Sequence, residues 1–157
     1  MTEQVNHPRH YNARKDGLEC IDIIRHYTFN IGCAIKYLWR AGLKTEEGKP
    51  DREKEIEDLN KALWYIEDYV SSRVGGHTDV AIDADVLYYL RSVTAYSIEE
   101  ITAPYADLVA VAMYDLALVG FVYEGYVYSS IDWLQHLITA KVSIRRRIEE
   151  LEKETTD

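Results

Sequence analysis

Gly32-Cys33-Ala34-Ile35-Lys36-Tyr37-Leu38-Trp39-Arg40-Ala41-Gly42 is the stretch from which the fold is read. At 100° per residue, Ala34, Ile35, Leu38 and Trp39 fall on one side, which predicts a helix buried along that side. Asn30 is the expected N-cap, and Gly42 is placed for the left-handed residue that closes a helix. Lys36, Arg40 and Lys44 follow at i, i+4 and i+8 along the neighbouring edge. Residues 23–45 contain no Asp or Glu, yet they carry Arg25, Lys36, Arg40 and Lys44 in a chain of net charge −9. A helix N-terminus with the small Gly32 near its mouth also offers backbone N–H groups to an anion. Two readings follow: a partly buried helix whose cations pair with acids elsewhere, or an anion site, with phosphate the foremost ligand.

Outward from this stretch, the N-terminal segment holds His7-Pro8-Arg9-His10-Tyr11, where Pro8 keeps His7 out of a helix. Neither a cysteine nor a well-spaced carboxylate completes a metal set around the two histidines, so no metal is expected. A strap laying His10 and Tyr11 against the first helices is the preferred reading. Residues 18–28 read as a short helix with Leu18, Ile21 and Ile24 inward. After the polar linker at residues 45–50, residues 51–70 give the clearest helical pattern, with Ile56, Leu59, Leu63, Ile66 and Val70 in one stripe. Asp58, Lys61, Trp64, Tyr65 and Tyr69 stand around the other side. Three aromatic rings on one face call for a second surface, which is another helix, another subunit or a ligand base.

Val74-Gly75-Gly76-His77 is the expected boundary between two parts. Residues 1–76 carry 12 Lys/Arg against 13 Asp/Glu, and residues 77–157 carry 6 against 14, so the acidity is concentrated in the second part. There the spacing predicts a helix over Ile82, Val86, Leu87, Leu90 and Val93, then a capping-box start at Ser97-Ile98-Glu99-Glu100. A third helix over residues 108–119 precedes β-rich residues on both sides of Glu124-Gly125, a hairpin signal. Residues 131–153 give a final amphipathic helix with Leu134, Leu137, Ile144, Ile148 and Leu151 inward. Arg145 and Arg146 stand four residues before Glu149 and Glu150, as on a solvated, salt-bridged face. The expected fold is therefore mainly α. It comprises a small helical N-terminal domain (residues 1–74) and an acidic winged-helix-like module (residues 78–157) with one hairpin and the C-terminal helix.

Composition bounds the function. With 47% hydrophobic residues the chain can bury a core, but no apolar run approaches the roughly 18 residues of a membrane span. The N-terminus is too polar for a signal peptide, and Cys20 and Cys33 lack metal or redox spacing. A reduced, cytoplasmic setting is therefore expected. Nucleic acid is an improbable partner. The third helix of the acidic module offers Asp107 and Asp115 without Lys or Arg, whereas phosphate contacts supply most DNA affinity. That module is read as a protein-interaction or oligomerisation unit, and a homo-oligomer is expected.

Four motifs taken together, His7-Pro8-Arg9-His10-Tyr11, Gly17-Leu18-Glu19-Cys20-Ile21-Asp22, residues 32–42 and residues 57–65 (Glu-Asp-Leu-Asn-Lys-Ala-Leu-Trp-Tyr), resemble a bacteriophage family. It is the SaV-like family, a domain of unknown function often labelled "nucleotide kinase", and the likeness covers residues 5–70. The family pattern usually has Asn after the glycine of Gly-x-Ala-Ile-Lys-Tyr, where this chain has Cys33. The resemblance implies a phage-encoded nucleotide-binding protein of the host cytoplasm. Its activity would be phosphorylation of a nucleoside monophosphate without a P-loop, a motif this sequence lacks. ATP, and with it Mg, would then be the cofactors. In such a site Lys36 and Arg40, continued by Lys44 and the Gly32 end of the helix, would hold phosphate. His10 would donate to it or shuttle a proton, and Asp58 would orient the acceptor oxygen. Lys61 would pair with Asp58 or complete the cationic ring, and Tyr11 or Trp64 would stack on the base. The alternative is a non-catalytic oligomeric protein that sequesters a nucleotide or blocks a host protein.

Overall fold

The computed structural model describes residues 14, 16–43, 47–73, 80–82 and 85–154. They form seven helices and three strands in the order α1 (Cys20–Ile24), α2 (Phe29–Arg40), α3 (Asp51–Arg73), β1 (Val80–Ile82), α4 (Asp85–Thr94), α5 (Ile98–Thr102), α6 (Asp107–Ala117), β2 (Phe121–Tyr123), β3 (Tyr126–Ser130) and α7 (Trp133–Lys153). The fold is mainly helical, as the sequence predicts.

Local chemistry explains most of the boundaries. A capping box between Glu19 and Asp22 starts α1, and another between Ser97 and Glu100 starts α5. The cap of α2 is Thr28 rather than Asn30, whose amide instead donates to Asp68 of α3 at 2.9 Å. Gly42 has φ +78°, the left-handed closure expected of it. Glu124 and Gly125 both have positive φ, which lets a two-residue turn join β2 to β3. The sequence expectation began α4 at Ile82. Residues 80–82 are instead a strand that pairs parallel with β3, giving a sheet of order β1-β3-β2. The likeness to a winged helix remains one of element order.

The buried side of α2 is the expected one, with Ala34, Ile35, Leu38 and Trp39 all in the core. It packs along α3, which in turn packs against α7, and α7 lies along α6. Tyr69 of α3 belongs to the second of these contacts: it is buried and meets Trp133 edge to face. It is therefore not part of an open aromatic stripe with Trp64 and Tyr65. The arginines of α7 also depart from expectation. Arg145 reaches Glu67 at 3.1 Å and Arg147 reaches Glu55 at 3.0 Å, both on α3, and Leu134 faces outward. Residues 74–77, the expected boundary, lie outside the described residues. One hydrophobic core runs through the elements on either side, joining Ile31, Leu38 and Ile66 to Leu116, Phe121, Leu137 and Ile148.

The two stretches are also joined by backbone. Thr28 N–H donates to the Gly120 carbonyl at 2.8 Å, and Val122 N–H donates to that of His26 at 2.7 Å. Between them the Tyr27 hydroxyl donates to the Ala117 carbonyl, and its ring meets Phe121 edge to face at 5.5 Å. The α1–α2 elbow thus covers the edge of β2. Gly120 makes this approach feasible: its φ is +69°, and a Cβ there would stand 2.5 Å from Thr28 Oγ1 and 3.1 Å from Ile31 Cγ1. Gly120→Ala is expected to cost at least about 1–2 kcal/mol from the left-handed backbone alone. In thermal denaturation this is a Tm lower by roughly 2–8 °C. Adding Thr28→Ala should recover part of the loss by removing the clashing oxygen.

Candidate functional site

The face of α2 and α3 that looks away from the core gathers most of the residues selected from the sequence. Its centre is Tyr37. Lys36 Nζ lies 4.8 Å, Arg40 Cζ 4.7 Å and Lys61 Nζ 5.5 Å from the centroid of this one ring. The electron-rich face of an aromatic ring attracts cations, so Tyr37 is an anchor for all of them. The Tyr65 ring stacks on Tyr37 at 5.8 Å, and Trp64 and Phe29 flank Tyr65 edge to face at 5.0 and 6.1 Å. Trp64 is 59% exposed, so the row of rings runs from the cations out to solvent.

Beneath the ring lies a carboxylate that never meets water. Asp58 is 0% exposed, and its Oδ1 accepts from Arg40 Nε at 3.0 Å and from Lys54 Nζ at 3.3 Å; Arg40 Nη2 approaches the same oxygen at 2.9 Å. Arg40 and Lys54 are themselves buried. Next to this trio, Glu57 accepts from Lys49, from Lys54 at 3.0 Å and from Lys61 at 2.9 Å. These hydrogen bonds, Lys49's foremost, hold the Glu57 carboxyl well below its ordinary value, and the same carboxylate raises Lys61. Arg40, Lys49, Lys54 and Lys61 thus converge on the two carboxylates Glu57 and Asp58, with Lys36 beside them on the Tyr37 ring.

The structure therefore brings Lys36, Arg40, Asp58 and Lys61 together, with Trp64 at the end of the aromatic row. It changes two of their pairings. Arg40 is buried on Asp58 rather than lining an exposed edge, and Lys61 pairs with Glu57 while Lys54 takes Asp58. Gly32 stands apart from the group. Because α2 starts at Phe29, the Gly32 N–H lies inside the helix and donates to the Thr28 carbonyl at 2.8 Å, so it is not offered to an anion. The small size of Gly32 serves packing instead, since a Cβ there would stand 3.2 Å from the Ile24 carbonyl oxygen of α1. His10, Tyr11 and Lys44 lie outside the described residues. Cys33 sits beside Tyr65 and Lys36, and burial pushes its thiol up, away from thiolate chemistry.

Tyr37, Lys49, Lys54 and Glu57 are participants that the sequence reading missed. Lys54-x-x-Glu57-Asp58-x-x-Lys61 keeps i, i+3 and i+4 spacing, a ladder that could have found Lys54 and Glu57. Lys49 arrives from the turn before α3 and leaves no such trace. A separate cavity of about 620 Å³ opens between the ends of α2 and α7 and the α5–α6 turn. None of the selected residues lines it. Its arginines are also already engaged, Arg14 on Asp16 and Arg147 on Glu55, so the cationic face is the stronger candidate.

Removing Asp58 would take the buried carboxylate away from Arg40 and Lys54, and breaking a buried ion pair typically costs about 3–5 kcal/mol. Asp58→Ala is expected to show a loss of that order in urea denaturation, with Asp58→Asn only slightly milder. Glu57 gives a pH signature. Its carboxyl is depressed in the folded chain, so its contribution is present above its ordinary value of 4.5 and is lost as pH falls below that value. The side chain is a third exposed, and solvent screening keeps the effect under about 1 kcal/mol. Glu57→Gln should therefore lower the urea midpoint slightly at pH 7 and leave less acid sensitivity below pH 4.5.

Residues 5–67 match the family described as "Protein of unknown function (DUF3310)". The match takes in α1, α2 and most of α3, the elements that carry the cationic face, and it ends before β1. No curated protein and no solved structure matches the chain.

Proposed function

We propose that the α2–α3 face binds the phosphate of a nucleotide. The supporting observation is the convergence of Lys36, Arg40 and Lys61 on the ring of Tyr37, in a chain whose net charge is −9. Like charges held this close repel one another; Asp58 offsets this for Arg40 and Glu57 for Lys61, whereas Lys36 adds its charge with only the ring beside it among the described residues. An anion brought to the same place relieves that repulsion. Lys36 has no carboxylate partner among the described residues, and Lys61 is 42% exposed at its side chain, so both can turn toward a phosphate. Arg40 lies behind them with hydrogen bonds committed to Asp58, and it acts as a fixed charge. The base would lie along the aromatic row, with Trp64 as its outer platform, since base–aromatic stacking is worth about 1–3 kcal/mol.

Binding without turnover is the better supported of the two classes. A residue that takes the acceptor proton must reach substrate, whereas Asp58 is enclosed and accepts from Arg40 and Lys54. Its role here is to position Arg40. Phosphoryl transfer with ATP and Mg is the second reading, and it rests on the likeness to the phage family. Because Asp58→Asn is destabilising, it cannot separate the two classes, and product analysis must do so.

The test is calorimetric titration of nucleoside mono- and triphosphates into the chain, followed by chromatography of the mixtures. A charge-assisted contact is worth about 1.5–3 kcal/mol, so Lys36→Ala and Lys61→Ala should each weaken binding roughly 10- to 100-fold. Trp64→Leu should weaken nucleotides and leave inorganic phosphate unaffected. If both lysine variants bind as tightly as the unaltered chain, the cluster is structural. New phosphorylated products would favour the kinase reading over sequestration.

A further inference from the structure

We propose that the tyrosine face built by α4 and the β2–β3 hairpin docks an arginine-rich segment of another protein. The hairpin register pairs Phe121 with Tyr128 and Tyr123 with Tyr126, so these four aromatic side chains share one side of the ribbon. At the inner end Phe121 is buried against Tyr27. Moving outward, Tyr89 of α4 stacks on Tyr123 at 4.9 Å, with an interplanar angle of 22°, and lies 5.9 Å from Tyr128. Tyr126 and Tyr88 finish the row, 6.5 Å from Tyr128 and 5.9 Å from Tyr89. These two end rings are 62% and 72% exposed. Five tyrosines thus lead from the core to solvent, and the two end rings offer a π face and a hydroxyl.

Charge complementarity selects the occupant. Between Arg73 and Lys141 the sequence has nine acids and a single cation, Arg91. Asp115 is withdrawn from the surface by its contact with His136 at 2.9 Å, but Glu124 stands exposed at the hairpin tip beside Tyr123. Exposed, hydroxyl-bearing rings beside the Glu124 carboxylate suit a cation that is both charged and flat. A guanidinium stacks on aromatic rings and forks onto carboxylates, whereas an ammonium is a compact, strongly hydrated charge. The row therefore favours arginine over lysine. It shares no residue with the cationic face of α2 and α3, so this inference stands apart from the proposed function.

The experiment uses the full chain and two fluorescein-labelled peptides of equal length, repeated Arg-Gly and repeated Lys-Gly, followed by anisotropy at about 0.1 M salt, where distant charges are screened. The Arg-Gly peptide is expected to bind several-fold tighter than Lys-Gly. The double variant Tyr88→Ser/Tyr126→Ser alters only exposed rings and leaves the charge unchanged, and it should weaken Arg-Gly binding roughly 5- to 30-fold. Lys36→Ala should bind the peptide as the unaltered chain does. Equal affinity for the two peptides, or an unchanged affinity in the double variant, would reduce the effect to general charge attraction and overturn the proposal. Absence of binding would overturn it too. So would light scattering that shows a dimer lost in the double variant, because a second copy would then occupy the face.

Discussion

The Asp58 carboxylate is the constraint on which the cationic face depends. It sits on α3 with no exposure and draws Arg40 from α2 and Lys54 from its own helix onto one oxygen. Taking three charges out of water is costly, and an ion pair of this kind offsets that cost only when its geometry is good. Two guanidinium nitrogens within about 3 Å meet that condition for Arg40. The consequence is a fixed register between α2 and α3. A slip by one helical turn would move Arg40 off Asp58, and it would also part Tyr37 from Lys61 and Tyr65. The buried pair is thus what allows the surface cations to share one ring. It also explains how a residue with almost no exposure contributes to the cationic face: the hydrogen bonds of Arg40 to Asp58 point inward while its charge remains 4.7 Å from the Tyr37 centroid.

A second clamp joins the helical hairpin to the acidic half. Thr28, Tyr27 and His26 meet Gly120, Phe121 and Val122 through two backbone hydrogen bonds and an edge-to-face ring contact. On the opposite flank of α3, Glu55 and Glu67 hold Arg147 and Arg145 of α7. The surface pairs contribute little individually, and the shared apolar core carries most of the energy. Their value lies in orientation, since they set which side of α3 faces α7 and leave the side bearing Lys61 and Trp64 outward.

How much of this could be read from the sequence follows from the range of the interactions. The buried stripe of α2, the Gly42 closure, the Ser97 capping box and the Glu124-Gly125 turn depend on residues within four positions of one another, and all were legible. The neighbourhood of Lys36 and Arg40 was legible too, because helical spacing places both on one edge and the lack of acids marks the window, whereas Lys61 entered only through the family likeness. What was lost depends on contacts across the chain. Whether Arg40 meets water or Asp58 is decided 18 residues away, and periodicity carries no such information. Tyr69 reads the same as Trp64 and Tyr65 until α7 covers it. Gly32 looks like an anion-binding glycine and proves to be a packing glycine, because the helix begins three residues before it. The strand at residues 80–82 is too short for any alternation to announce it, and its parallel pairing with β3 is made at long range.

The two surfaces come from stretches of opposite charge along the sequence. The acid-free window of residues 23–45 lies on the elbow and α2, whereas the stretch between Arg73 and Lys141 is nearly free of cations. Were this segregation only a matter of solubility, the aromatic residues on each side would have no reason to reach the surface. Yet each side carries an aromatic row that begins at a buried or ion-bound ring and ends at an exposed one: Tyr37, Tyr65 and Trp64 on the first, Phe121, Tyr123, Tyr89 and Tyr88 on the second. An exposed ring gives up apolar burial that it could have gained inside, so a row of them next to a single sign of charge is disfavoured unless something covers it. On the α2–α3 side the charge is positive, and the flat partner we propose for it is a base with its phosphate. On the hairpin side it is negative and the flat partner that fits is a guanidinium. One fold thus presents the same stacking arrangement twice, once on the α2–α3 face and once on the hairpin.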